Sequence, residues 1–295
     1  VFDVSEVPEY TLSQRENYVA TEQREFPMTD ANFARIASLA SDHTGIVLGP
    51  HKRDMIYGRL ARRMRALRLQ NFDQYCDVLA QDRSPELSNF INAITTNLTS
   101  FFRESHHFEF LQDTVLPQLK ITNRASKRIR IWSAGCSTGE EPYSLSITLN
   151  ESVDLKSWDA KILATDLDSN VLQHGSNGVY DIQRIENMAE ERKRKWFLKD
   201  PQRPDVVKVK PVLQDSIRFK RLNLLEAWPM KGSFDVIFCR NVVIYFSKDT
   251  QRVLFDRYAD ILSDGGYLFI GHSETLHRVT DRFRSLGKTI YQKIR

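Results

Sequence analysis

From Met28 onward, apolar residues recur at the three-and-four spacing that places them on one face of a helix. Phe33, Ile36, Ala37 and Ala40 share such a face, and Asp30, or Thr29 before it, is suited to cap its start. A second helix is predicted from about Lys52 to Leu69, with Ile56, Leu60, Met64 and Leu67 aligned. A third covers Phe72 to Ala80. A fourth begins near Pro85 and carries Leu87, Phe90, Ile91 and Ile94. These segments make an all-α N-terminal domain over residues 26–100. The polar, weakly periodic residues 1–25 read as a tail.

From Arg128 the pattern changes to short apolar runs alternating with helical segments. Ile129 to Ser133 reads as a strand, followed by a helix through Leu149 with Pro142 in its first turn. Lys161 to Thr165 is the next strand, ending in Asp166-Leu-Asp168 and a helix through Gln173. Phe234 to Cys239 is apolar apart from Asp235, as a strand buried on both faces would be. Gly265-Gly266 turns into a strand from Tyr267 to Gly271, and Thr289 to Ile294 closes the chain as a last strand. Alternation of this kind predicts an α/β domain over residues 101–295, built on a doubly wound parallel sheet. Residues 177–216 interrupt it as a small inserted subdomain. There Ala189 to Leu198 is a charged helix candidate, and the Val/Lys alternation of Val206 to Leu213 suggests an exposed strand.

Composition narrows the class. With 295 residues, 41% of them hydrophobic, the chain can fill one large core and a smaller one. No apolar run approaches the roughly 20 residues of a membrane span, and no signal-peptide core is evident. Val1 in place of methionine suggests that residues precede it. Cys76, Cys136 and Cys239 form neither a zinc pattern nor a disulfide frame, which fits a reducing cytosol. The histidines, including His106-His107 and His272, offer no set with ligand spacing. Ser137 and Ser273 lack a nucleophile-elbow context. A net charge of +4 is too modest to imply nucleic acid. The predicted second helix nevertheless concentrates Lys52, Arg53, Arg59, Arg62, Arg63, Arg65 and Arg68 against Asp54 alone, which favours an acidic partner surface.

The chemistry is concentrated in Ile131-Trp-Ser-Ala-Gly-Cys-Ser-Thr-Gly-Glu-Glu-Pro142, a strand–loop–helix start of the nucleotide-cofactor type. Gly135 and Gly139 do not fit G-x-G-x-x-G. Glu140 and Glu141 occupy the helix N-terminus, where the dipole favours them and where they would repel a phosphate. The loop suits a cationic cofactor without phosphate, and S-adenosylmethionine has that chemistry. Asp166, at a strand's carboxyl end, is the candidate for ribose hydroxyls, and Asp168 for capping the next helix. Arg240-Asn241 and Tyr245 follow the buried strand and face the same sheet edge. No Asn/Asp-Pro-Pro-aromatic element is present there, which weighs against methylation of nucleic-acid amino groups. On composition alone, Thr95 to Glu104 reads as a capped linker anchored by Phe101 and Phe102.

Together the motifs resemble the chemotaxis receptor glutamate O-methyltransferases. The matching stretches are Thr95-Thr-Asn-Leu-Thr-Ser-Phe-Phe-Arg-Glu104, Trp132 to Ser144, Thr165-Asp-Leu-Asp168, Asn223-Leu-Leu225, Phe238-Cys-Arg-Asn-Val-Val-Ile-Tyr-Phe246 and Gly271-His-Ser-Glu274. The resemblance implies a Rossmann-like methyltransferase domain after an all-α domain. It implies S-adenosylmethionine as methyl donor and S-adenosylhomocysteine as product. Asn97, Thr99 and Arg103 would contact the cofactor, Arg103 close to the reacting methyl. Glu141 would hold the methionine ammonium, Asp166 the ribose, and Asn223 with Leu224 the adenine. Arg240 and Asn241 would line the cofactor, with Tyr245 near the sulfonium. Arg53, Arg59, Arg62 and Arg63 would dock on acidic receptor helices, and the protein would work in the cytoplasm at receptor clusters. Some members bind a receptor C-terminal peptide through a glycine-containing loop of the inserted subdomain. The corresponding Lys199–Asp205 has no glycine, so no peptide tether is expected. A nucleic-acid methyltransferase and a non-catalytic cofactor-binding module are the alternatives.

Overall fold

The computed structural model describes residues 24–81 and 84–294. Most of the expected tail lies outside the described residues. Its last two positions are not a tail, because Arg24 and Glu25 pair with Asp54 and Arg65, each at 2.7 Å. The chain forms two compact units. One holds the chain up to His43 and Leu48–Ile94; the other holds Thr44–Val47 and Thr95–Arg295.

The first unit consists of α1 (Asp30–Thr44), a 3-10 turn at Pro50–Lys52, α2 (Arg53–Leu67), α3 (Phe72–Ala80) and α4 (Glu86–Ile94). Thr29 begins α1. Its Oγ1 accepts the Asn32 amide at 3.1 Å, and Asn32 Oδ1 accepts the Thr29 amide at 3.0 Å, a reciprocal cap. The aligned apolar faces meet in a core that includes Ile36, Ile56, Leu60, Met64 and Phe90. At the start of α4, Leu87 is only half-buried and Glu86 is buried instead. Arg63 Nε and Nη2 donate to its two oxygens at 2.8 and 2.7 Å, and Tyr75 Oη donates at 3.2 Å. Satisfying the charge on both oxygens is what makes its burial tolerable.

The second unit opens with one helical run, α5 (His106–Phe110), a π turn Leu111–Val115 and α6 (Leu116–Thr122). Then come β1 (Arg128–Ala134), α7 (Glu140–Ser152), β2 (Asp159–Asp166) and α8 (Ser169–Asn177). The insertion follows: β3 (Val179–Asp181), a 3-10 turn at Ile182–Ile185, α9 (Glu190–Trp196), β4 (Phe197–Asp200), β5 (Arg203–Val209) and α10 (Pro211–Asp215). The chain finishes with β6 (Ile217–Arg221), β7 (Phe234–Cys239), a 3-10 turn at Val243–Tyr245, α11 (Lys248–Ile261), β8 (Leu262–Ile270), β9 (Phe283–Gly287) and β10 (Ile290–Lys293).

The main sheet has the order β6-β2-β1-β7-β8-β10-β9. The pairs from β6 to β8 are parallel, while β10 runs antiparallel to both β8 and β9. The doubly wound parallel sheet is as expected, with an antiparallel edge added, where the short link from Gly287 to Ile290 turns β9 back into β10. Apolar side chains point to both faces. Ile129 and Ile131 join a cluster with Leu145, Phe238 and Phe269, whereas Trp132 and Ala134 join one with Ile237, Tyr258 and Leu268. This two-sided burial accounts for the apolar run from Val236 to Cys239 in β7. The insertion is a three-stranded antiparallel sheet, β3-β5-β4. Its β5 is not an exposed strand. Val207 and Val209 are buried and Lys208 is exposed, because a Val/Lys alternation gives a strand one wet and one dry face. Pro211 to Leu213, assigned to the same strand from sequence, begins α10. No helix among the described residues is long and apolar enough to cross a membrane.

Candidate functional site

Because β1, β2, β6, β7 and β8 are parallel, the loops that leave them share one edge of the sheet, where ligands bind in open α/β folds. The β1–α7 loop is held open there by backbone shape. Gly139 sits at φ +100°, and a Cβ on it would fall 2.7 Å from Tyr180 Oη and 2.8 Å from Gly175 Cα. No side chain fits that turn. The loop is pinned from beside it by Asp166, whose oxygens accept the Ser137 and Asp168 amides at 2.8 and 3.0 Å. Burial pushes the Asp166 carboxyl up to about 6. Asp168 does cap α8, through the Asn170 amide at 2.8 Å. Its other oxygen accepts Asn97 Nδ2 at 2.8 Å and Thr95 Oγ1 at 3.1 Å. Ser137 Oγ in turn donates to the Asn97 carbonyl at 2.9 Å. The segment that reads as a linker by composition is therefore strapped across the ends of β1 and β2.

The two glutamates of the loop separate in role. Glu140 is fully buried and accepts Thr138 Oγ1 at 2.6 Å and Arg184 Nε at 3.0 Å. Arg184, in the insertion, also donates to the Thr99 carbonyl at 2.9 Å. Glu140 thus joins loop and insertion, a larger role than the helix-start support expected of it. Glu141 accepts Ser133 Oγ at 2.7 Å on one oxygen and Arg240 Nη1 at 3.1 Å on the other. Its own burial raises its pKa, with Arg240 and Ser133 opposing. The Arg240 side chain is only 2% exposed and also donates to the Arg103 carbonyl. Arg103 lies between two residues with left-handed backbone, Phe102 at φ +52° and Glu104 at φ +57°. Such conformations cost energy and concentrate at functional sites. The Arg103 guanidinium donates to the Leu98 carbonyl at 2.8 Å.

The edge after β7 is shaped by Glu274, to which sequence reasoning gave no role. Its carboxylate accepts the amides of Gly271, Asn241, Val243 and Ile244 at 2.6, 3.0, 2.9 and 3.3 Å. Burial pushes its pKa up, against the pull of those four amides. It fixes Asn241 and the 3-10 turn that carries Tyr245, whose carbonyl accepts the Val47 amide at 2.9 Å. After β6, Asn223 Oδ1 accepts the Leu225 amide at 3.1 Å. Leu224 is buried in the cluster around Trp132. Hydrogen bonds thus make three groups, Asn97 with Asp166 through Ser137, Thr99 with Glu140 through Arg184, and Arg103 with Glu141 through Arg240, with Asn241 and Tyr245 on the neighbouring loop.

The structure also brings Glu104, His106 and His107 together, with ligand-capable atoms within 4.8 Å of one another, which their sequence spacing did not suggest. Arg240 Nη2 stands 3.5 Å from the same Glu104 oxygen that lies 3.5 Å from His107 Nδ1, and a guanidinium there opposes a metal cation. His107 Nε2 meets the Lys288 carbonyl at 2.9 Å, which places the proton on that nitrogen. Burial pushes its pKa down to about 4, so the ring is neutral at pH 7.

In the helical unit, three of the four proposed docking arginines hold the unit itself together. Arg53 binds Asp30 and the Met28 carbonyl, Arg59 the Ala93 carbonyl, and Arg63 the buried Glu86. Arg62 is exposed and forms no ion pair among the described residues.

The donor set suits a cofactor with an ammonium and a ribose diol. Carboxylates stand at Glu141 and Asp166, and the first turn of α7 is occupied by acids where a pyrophosphate would need free amides. Comparison with known proteins agrees. Residues 97–292 match the CheR methyltransferase SAM-binding domain, and residues 31–95 match the CheR methyltransferase all-alpha domain. The chemotaxis protein methyltransferases of Salmonella typhimurium and Escherichia coli are each 40% identical to this chain; the first aligns over 90% of both chains, the second over 90% of this chain and 91% of its own. Chemotaxis protein methyltransferase 2 of Pseudomonas aeruginosa is 43% identical over 91% of this chain and 95% of its own. On the strength of both domain matches and this identity, the chain belongs to the CheR chemotaxis methyltransferase family and is an S-adenosylmethionine-dependent methyltransferase.

Proposed function

We propose that this methyltransferase esterifies glutamate side chains on the cytoplasmic helices of chemotaxis receptors, with Arg103 and Tyr245 at the reacting centre. The observation that carries the assignment is Arg240, which joins Glu141 to the main chain of Arg103 and so couples the proposed cofactor end of the site to the proposed catalytic arginine. Glu141 would hold the methionine ammonium and Asp166 the ribose hydroxyls. Asn97, Thr99, Asn223, Leu224 and Asn241 would complete the enclosure. When bound, the cofactor supplies a methyl group on a positively charged sulfur.

A glutamate with a pKa of about 4.3 is ionised near pH 7 and needs no general base to act as nucleophile. What remains for the protein is orientation and control of charge. Arg103 can turn its guanidinium from the Leu98 carbonyl to the incoming carboxylate. The product ester is neutral, so each turnover removes one negative charge from the receptor. Arg62 and Arg68, both exposed, supply the positive field of the helical unit, since Arg53, Arg63 and Arg65 are paired with Asp30, Glu86 and Glu25.

The test is transfer of labelled methyl to receptor-bearing membranes, followed by base-labile release as methanol. Label that enters RNA instead would refute the assignment. The glycine-free Lys199–Asp205 stretch includes the turn between β4 and β5, and we read it as lacking a peptide tether. Micromolar or tighter binding of a receptor C-terminal peptide by calorimetry would overturn that.

A further inference from the structure

Glu104 carries the adjacent unused chemistry. Its side chain is 11% exposed and faces three groups. His272 Nδ1 lies 3.0 Å from Oε1, while Arg240 Nη2 and His107 Nδ1 each lie 3.5 Å from Oε2. That Oε2 makes no hydrogen bond within the protein. Burial works to raise the Glu104 pKa, but His272 and then Arg240 outweigh it and hold the carboxyl below its ordinary value. Glu104 is therefore an anion at neutral pH, beside a neutral His107.

The charges of this cluster do not cancel. One guanidinium, Arg240, stands between two carboxylates, Glu104 and Glu141. If Arg240 and Glu141 were alone, they would neutralise each other, and Glu141 would have little net charge to offer a cation. With Glu104 on the far side of Arg240, one negative charge remains.

We propose that Glu104 is a positioning residue for the methyl donor: by sharing Arg240 it leaves Glu141 free to bind the donor's ammonium group. This rests on the placement of that ammonium at Glu141. Glu104 acts through Arg240 and need not touch the ligand.

The test is calorimetric binding of two ligands that share the adenosine moiety. S-adenosylhomocysteine carries the ammonium, and 5′-methylthioadenosine lacks it. Glu104→Gln should weaken S-adenosylhomocysteine by about tenfold or more and leave methylthioadenosine within about twofold, a difference that general loosening would not produce. The double variant Glu104→Gln/Arg240→Gln removes one charge of each sign. It should bind S-adenosylhomocysteine more tightly than the single variant, and it carries no uncompensated guanidinium should the single variant fold poorly. Equal loss for both ligands, no loss at all, or a double variant no better than the single one would each overturn the proposal. Wild-type protein that fails to bind S-adenosylhomocysteine would instead sink the underlying site assignment.

Discussion

Arg184→Ala tests whether the insertion is an ornament or a brace. Glu140 has no exposed side-chain surface, and Arg184, 38% exposed, is its charge partner. Removing one member of a buried pair costs about 3–5 kcal/mol, because the other charge is stranded. Arg184 is more than a third exposed, so water can enter where it stood, and a discounted loss of about 2–3 kcal/mol is expected. The Thr138 hydroxyl remains on the carboxylate at 2.6 Å and lessens the loss further. For a unit of this size, each kcal/mol moves the melting temperature by about 2–4 °C, so a drop of roughly 4–12 °C should appear by scanning calorimetry. Replacing Glu140 by Gln in the same protein removes the stranded charge and should recover part of that drop, with a coupling of at least about 1 kcal/mol. Because Arg184 also holds the Thr99 carbonyl, affinity for S-adenosylhomocysteine should fall in the single variant. A melting temperature within 1–2 °C of wild type, or additive effects of the two substitutions, would refute the reasoning.

Asp166→Asn should change how stability depends on pH. The folded pKa of about 6 lies above the ordinary 3.8, so the stability Asp166 contributes is full below pH 3.8 and is lost as pH rises through 6. The loss is about 2–3 kcal/mol; urea midpoints measured from pH 4 to 7 should fall in wild type and stay flatter in the variant, and parallel profiles would count against it. Gly139→Ala, with backbone 2.8 Å from the new Cβ, should cost about 2–4 kcal/mol in melting experiments. Gly287→Ala, also at positive φ but with nothing within 4 Å, should cost only about 1 kcal/mol; similar losses at both would show that crowding is not the cause. Arg103→Ala should abolish methyl transfer with little change in melting temperature, since among the described residues its guanidinium hydrogen-bonds only to the Leu98 carbonyl. Retained turnover would remove Arg103 from the reacting centre.

Periodicity made most of this architecture legible, because burial on one face or two leaves a repeating trace. Phe234 to Cys239 was readable to the residue. What periodicity hid were elements whose signal is not apolar repetition. The short link after Gly287 decides that β10 runs antiparallel to β9, and the buried Glu86 can be recognised only once Arg63 is seen beside it. Among the proposed site residues, Glu141 and Asp166 drew notice from sequence because a carboxylate at a helix start or a strand end has a local explanation. Glu104, Arg184 and Glu274 were not, since each acts on partners far away in sequence: Arg240, Glu140 and the amides after β7. Glu104 and Glu274 lay inside recognised motifs, and a motif names residues without saying what they hold.

Thr44–Val47 belongs with the methyltransferase unit although it lies within the helical half of the sequence. Val47 supports the Tyr245 carbonyl, and a Cβ on Gly45 would fall 2.1 Å from Leu225 Cδ1. The backbone therefore passes between the units at three places, after His43, after Val47 and after Ile94. A fragment that starts at Thr95 would lack the strand of chain under Tyr245. Exchange of helical domains between relatives, whether by recombination or by design, has to leave these four residues with their own catalytic half, so a single cut in the sequence does not separate the two units.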